Sequence, residues 1–122
     1  MKKLLLLVLF SVIFSGVHAQ RNRITVEERA KRNTEWMKNE LNLSEEQIPP
    51  VDSINLLFTK AQHVLMQNEE GNREKIREAL TALDAQKTES LKTVLTSDQL
   101  ETYKKKSEEM RNNRNRGGRR GR

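Results

Sequence analysis

Apolar residues recur along most of this chain at intervals of three and four. Val26, Ala30, Met37 and Leu41 are separated by 4, 7 and 4 residues, which places them on one side of a helix with 3.6 residues per turn. Val51, Ile54, Phe58, Ala61 and Leu65 follow at 3, 4, 3 and 4, with Leu57 and Val64 broadening that stripe. Ile76, Leu80, Leu83, Leu91 and Val94 mark a third inner face, and Leu100, Tyr103, Ser107 and Met110 a fourth at 3, 4 and 3. Runs of β-branched residues are missing and only two prolines interrupt the pattern. The periodicity therefore predicts an all-α body of about four helices.

The helix boundaries are written in short polar signals. Thr25 and Glu28 have the spacing of a capping box, so the first helix should start after Thr25 and run to about Leu41. Gly71 should end the second helix, and Asn72 should open the third. The start of the second helix carries a conflict: Ser44 is a good cap, yet Pro49 and Pro50 remove two backbone donors shortly afterwards. A short turn and a restart with Pro50 at the first helical position is the expected outcome.

One pentapeptide pattern occurs twice, as Leu43-Ser44-Glu45-Glu46-Gln47 and Leu95-Thr96-Ser97-Asp98-Gln99, 52 residues apart. Each reads as a helix corner. The hydroxyl of Ser44 or Thr96 can accept from the N–H three residues on, while Gln47 or Gln99 reaches back to the N–H of the cap. Glu45, Glu46 and Asp98 then meet the positive end of the helix dipole. Leu43 and Leu95 close the preceding helices, which suggests two helix–corner–helix units.

The ends differ in kind from the body. Residues 1–19 have the form of a secretory signal peptide, with Lys2 and Lys3, an apolar run from Leu4 to Val17, and Val17-His18-Ala19 as a cleavage site. Fourteen residues interrupted by Ser11, Ser15 and Gly16 fall short of the roughly 20 that span a bilayer. No cysteine lies near Ala19, which excludes a lipid anchor. The expected mature protein starts at Gln20 and is periplasmic, where neither ATP nor, in this cysteine-free chain, a disulfide is available. Residues 111–122 hold six Arg, three Asn and three Gly and should form a disordered basic tail. Residues 20–110 carry 15 Lys and Arg against 17 Asp and Glu, so the positive charge of the chain belongs to the tail.

The helical domain, residues 20–110, has a thin core of 24 apolar side chains other than alanine. A chain of this size without staples gains only a small surplus from burial, and pairing of two copies along their apolar stripes into a homodimer is the expected remedy.

A signal peptide, an all-helical mature chain and two pentapeptides of the LTxxQ type together resemble the LTxxQ-motif (Spy/CpxP-like) periplasmic protein family. The first copy departs from the motif with Ser44 in place of threonine, and Pro49-Pro50 is an unusual sequel. The resemblance implies a cradle-shaped, dimeric helical protein that binds unfolded or partly folded clients without ATP and limits their aggregation. It also implies an alternative, since some relatives damp an envelope-stress sensor or bind metal: a stress-response regulatory or interaction module with a sensor or surface partner. Leu43, Ser44, Gln47, Leu95, Thr96 and Gln99 correspond to structural corners in that family.

Catalysis finds little support in the residues. His63 is the one histidine beyond residue 19, cysteine is missing, and a nucleophile, base and orienting group do not assemble. One His without thiolates is also a poor transition-metal set, so no metal and no cofactor is expected. For client binding the candidates are Trp36, Met37, Phe58 and Met66, because large or adaptable apolar side chains accept varied partners. Phe58, on the main stripe, reads more readily as core. Arg111, Arg114, Arg116, Arg119, Arg120 and Arg122 would attract polyanions. Export and the lack of a stacking aromatic in the tail disfavour nucleic acid, leaving acidic clients or an anionic envelope surface, with a merely solubilising tail as the plain alternative.

Overall fold

A computed structural model describes residues 23–68 and 71–120; the signal-peptide reading of residues 1–19 and the last tail residue, Arg122, lie outside them. Four helices follow in order, α1 (Val26–Leu41), α2 (Ile48–Asn68), α3 (Arg73–Lys92) and α4 (Ser97–Arg120). Among the described residues there is no strand, and no helix is long and apolar enough to cross a membrane.

Each boundary has a local cause. The Thr25 hydroxyl accepts from Glu28 N–H at 3.1 Å while the Glu28 carboxylate accepts from Thr25 N–H at 3.0 Å, the complete reciprocal cap. α1 ends on Asn42, whose φ of 51° puts it in the left-handed region that asparagine tolerates better than most residues. The next N–H, that of Leu43, donates back to the Lys38 carbonyl, which closes the helix end. Asn72 caps α3 by accepting from Lys75 N–H at 3.1 Å, after Gly71 turns the chain at φ 97°. No side chain would adopt that angle without strain.

The proline conflict resolves differently from the sequence expectation. α2 starts at Ile48 rather than at Pro50, with its first intrahelical bond running from Val51 N–H to the Gln47 carbonyl. Pro49 and Pro50 fall within the opening turn, where backbone donors have no intrahelical partner in any case, so both are accommodated without a lost bond. Ser44 consequently caps no helix directly. Gln47 N–H donates to the Ser44 backbone carbonyl at 3.0 Å, making a single turn that leads into α2.

The helices form a ring in which α1 packs on α2 and α4, and α3 packs on α2 and α4. Their core gathers at one end, where the two corners meet: Met37 and Leu41 from α1, Leu43 and Leu95 from the corners, Val51 from α2, Leu91 from α3 and Tyr103 from α4. Burying side chains of this size contributes roughly 2 kcal/mol each. Away from the corners the packing thins. α3 buries only Leu91, near its C-terminal end, while Ile76, Leu80 and Leu83 are half-buried.

α4 continues to Arg120. Propagation from an existing helix costs far less than nucleation, and arginine is a good helix former. Arg111 also pairs with Asp84 of α3, which fixes the point where α4 leaves the body.

Candidate functional site

The two pentapeptides form one structure. Each glutamine side chain folds back on its own corner: Gln47 Oε1 accepts from Ser44 N–H and Gln99 Oε1 from Thr96 N–H, both at 3.0 Å. The same two amides then face each other. Gln47 Nε2 donates to Gln99 Oε1 at 2.7 Å, and Gln99 Nε2 donates to Gln47 Oε1 at 3.1 Å. The remaining hydrogen of each amide reaches across to the opposite corner, from Gln47 to the Val94 carbonyl at 3.0 Å and from Gln99 to the Leu41 carbonyl at 3.2 Å. Both amides thus use their two donor hydrogens and accept twice, which saturates the group. Of the motif hydroxyls, only that of Thr96 completes a box, accepting from Gln99 N–H at 3.3 Å. With Leu43 and Leu95 buried beneath, the motif residues clamp the α1–α2 corner to the α3–α4 corner.

A second polar element lies between α1 and α2. Thr34, Asn55 and Thr59 are buried in an otherwise apolar contact. The Thr34 hydroxyl lies 2.9 Å from Asp52 Oδ1, to which it can donate, and accepts from Asn55 Nδ2 at 3.0 Å. Asn55 Nδ2 also approaches the Met37 sulfur at 3.5 Å, while Asn55 Oδ1 has no partner. A buried carbonyl left without a donor costs about 1–3 kcal/mol.

An aromatic pair joins α1 to α4. Trp36 is half-buried and meets Tyr103 edge-on, with ring centroids 6.3 Å apart and planes at 65°. The Lys87 ammonium sits 5.9 Å from the Tyr103 ring centroid. Burial pushes the Lys87 pKa below its ordinary value, against the opposing pull of Asp84. Burial likewise pushes the Tyr103 phenol up, helped by the Asp84 carboxylate and opposed by Ser107 and Arg111. On the outside, Lys106 pairs with Glu40, and that hydrogen bond and charge raise its pKa.

Of the side chains expected to meet clients, Met37 and Phe58 belong to the interior, 1% and 8% exposed, and are not available at the surface. Met37 lies on α1 and Phe58 on α2, the helix pair in which stripe periodicity and burial coincide. Met66 is exposed near the end of α2. Leu57 and Val64, which the stripe places inward, are 63% and 53% exposed. Among the described residues α2 is flanked by α1 and α3 alone, so a stripe broad enough for three neighbours leaves one face uncovered by them. Leu57, Ala61 and Val64 run along that face at spacings of 4 and 3. His63 is exposed, and no group of three or more His, Cys, Asp or Glu among the described residues is placed to hold a metal ion.

Arg111, Arg114 and Arg116 are exposed on α4, whose backbone also includes Arg119 and Arg120. Sequence reasoning did not single out Asn55, Lys87 or Asp84, whose significance depends on neighbours from other helices. A family model described as a domain of unknown function (DUF4890) matches residues 16–103. Comparison with curated proteins and with solved structures finds no match.

Proposed function

We propose that this chain, which belongs to the family described as domain of unknown function DUF4890, is an ATP-independent, non-catalytic binder of non-native polypeptides that limits their aggregation. The observation that carries the reading is the uncovered apolar face of α2. Leu57 and Val64 are more than half exposed, Met66 is 52% exposed beyond them, and the half-buried Ile76, Leu80 and Leu83 line the neighbouring helix. Large exposed apolar side chains on a rigid helix offer contact area to any unfolded segment without demanding a sequence, and methionine adapts to many shapes. Exposed charged residues on the same two helices, Lys60 and Arg77 among them, would keep a bound client in solution.

The resemblance to the LTxxQ-motif family supports the same reading, as does the exported location expected from residues 1–19, where no nucleotide would be at hand. The Gln47–Gln99 clamp takes no part in contacts with clients here. It fixes the angle between the two helix pairs and so the shape of the surface on offer. Pairing of two copies belongs to this reading as well, because the core is thin for a free chain of this length.

The test is dilution of a chemically denatured protein into buffer without nucleotide, followed by light scattering, with residues 20–122 at equimolar ratio. Scattering should fall several-fold, and Leu57→Lys/Val64→Lys should lose most of that effect while unfolding within about 0.5 kcal/mol of wild type, as exposed positions allow. Full activity in the double variant would refute the α2 face as the client site, and no suppression for several clients together with one saturable folded partner would favour a regulatory module.

A further inference from the structure

The C-terminal part of α4 has no role in the clamp, the core or the apolar face. α4 spans 24 residues, about 36 Å at 1.5 Å per residue. Beyond Glu109 the chain has no acidic residue, and beyond Met110 no apolar one. Arg111 is held by Asp84, whereas Arg114 and Arg116 extend exposed with no ion pair among the described residues.

We propose that residues 111–118 of α4 form a docking arm for a linear anionic polysaccharide. The distribution of charge around the helix selects this class. At about 100° per residue, Arg114 lies roughly 60° to one side of Arg111 and Arg116 roughly 140° to the other, so the cations surround the axis instead of forming one stripe. A flat anionic membrane could engage only one side, and the arm has no apolar side chain to insert. Bases of a single-stranded nucleic acid would need an aromatic platform, and residues 111–122 have none. A flexible polymer with an anion on each repeat can wrap the arm, and the guanidinium fork matches carboxylate and sulfate groups alike. The body repels the same polymer weakly, since residues 20–110 hold two more acidic than basic side chains, so approach is steered to the arm. This inference is independent of client binding on α2.

Fluorescence anisotropy of labelled heparin and labelled polygalacturonate with residues 20–122, from low to moderate salt, provides the test. Binding should weaken steeply with salt, as counterion release requires. Arg114→Glu/Arg116→Glu should lower affinity at least about tenfold at low salt and flatten the salt dependence by about 1.5–2 units of slope, one lost counterion-releasing contact per arginine. Lys31→Glu/Arg32→Glu on α1 makes the same change in net charge at exposed positions outside the arm and should cost less than about threefold, since direct guanidinium contacts rather than net charge carry the binding. Deletion of residues 111–122 should abolish binding. Equal losses in the two double variants, survival of binding after the deletion, no binding to either polysaccharide, or tighter binding to an oligothymidine or to phosphatidylglycerol vesicles would each overturn the proposal.

Discussion

Replacing Gln47 by alanine removes four hydrogen bonds at once: the donations to Val94 and Gln99 and the acceptances from Ser44 and Gln99. At about 1 kcal/mol per neutral bond the ceiling is about 4 kcal/mol. Water can reach a partly buried corner and rehydrate some of the abandoned groups, so Gln47→Ala should cost roughly 2–3 kcal/mol. Gln99→Ala removes the equivalent four bonds, to Leu41, Thr96 and twice to Gln47, and should cost a similar amount. Two of those bonds are common to both variants. The double variant should therefore fall short of the sum of the singles by about 1–2 kcal/mol. Urea unfolding followed by far-ultraviolet circular dichroism, at one fixed protein concentration, reads all three. Additivity within about 0.5 kcal/mol would mean that the two corners are capped separately and the clamp between them carries no energy.

Asn55→Leu keeps the shape of a buried side chain and removes its unpartnered carbonyl together with the donation to Thr34; relief of about 1–3 kcal/mol against about 1 kcal/mol for the lost bond should raise the unfolding free energy by roughly 1 kcal/mol and the thermal midpoint by several degrees, and a loss of that size would refute this balance. Lys87→Met should be more stable than wild type at pH 7, because burial holds the folded Lys87 pKa below 10.5. Between the folded and unfolded values the unfolded chain binds more protons, so wild-type stability rises with pH and the advantage of the variant should shrink toward pH 10.5. Above about pH 10 the raised Tyr103 pKa acts in the opposite sense, since the folded state then holds the extra proton and stability falls as pH rises. Chemical denaturation in steps from pH 7 to 11 checks both signs, and a difference between wild type and Lys87→Met that does not vary with pH would refute the first.

Local signals carried the helices well. The Thr25–Glu28 box, the Gly71-Asn72 break and the Thr96–Gln99 box each act within four residues, and all are realised. The Pro49-Pro50 outcome was also local in cause, but it turned on which two residues precede the prolines, and α2 needed only Ile48 to bring both into its opening turn. The clamp itself was not legible. Gln47 and Gln99 are each explained by their own corner, and nothing within either pentapeptide says that the two amides meet. The same holds for Leu57 and Val64, whose spacing marks an apolar stripe without saying how many helices cover it. Met37 and Phe58 show a related limit, since size and type suit a client contact and the interior equally, and only burial separates the two.

The central claim is that the Leu57–Val64 face meets non-native chains, and the lack of cysteine in the sequence makes a direct measurement simple. Val64→Cys, labelled with a polarity-sensitive dye, reports on the uncovered face, and Lys31→Cys reports on the exposed polar side of α1. Titration with a permanently unfolded client, in the absence of nucleotide, should shift the emission of the first probe to shorter wavelength and leave the second unchanged. An unshifted probe on α2 while the client is demonstrably bound, or equal shifts at both sites, would contradict the account.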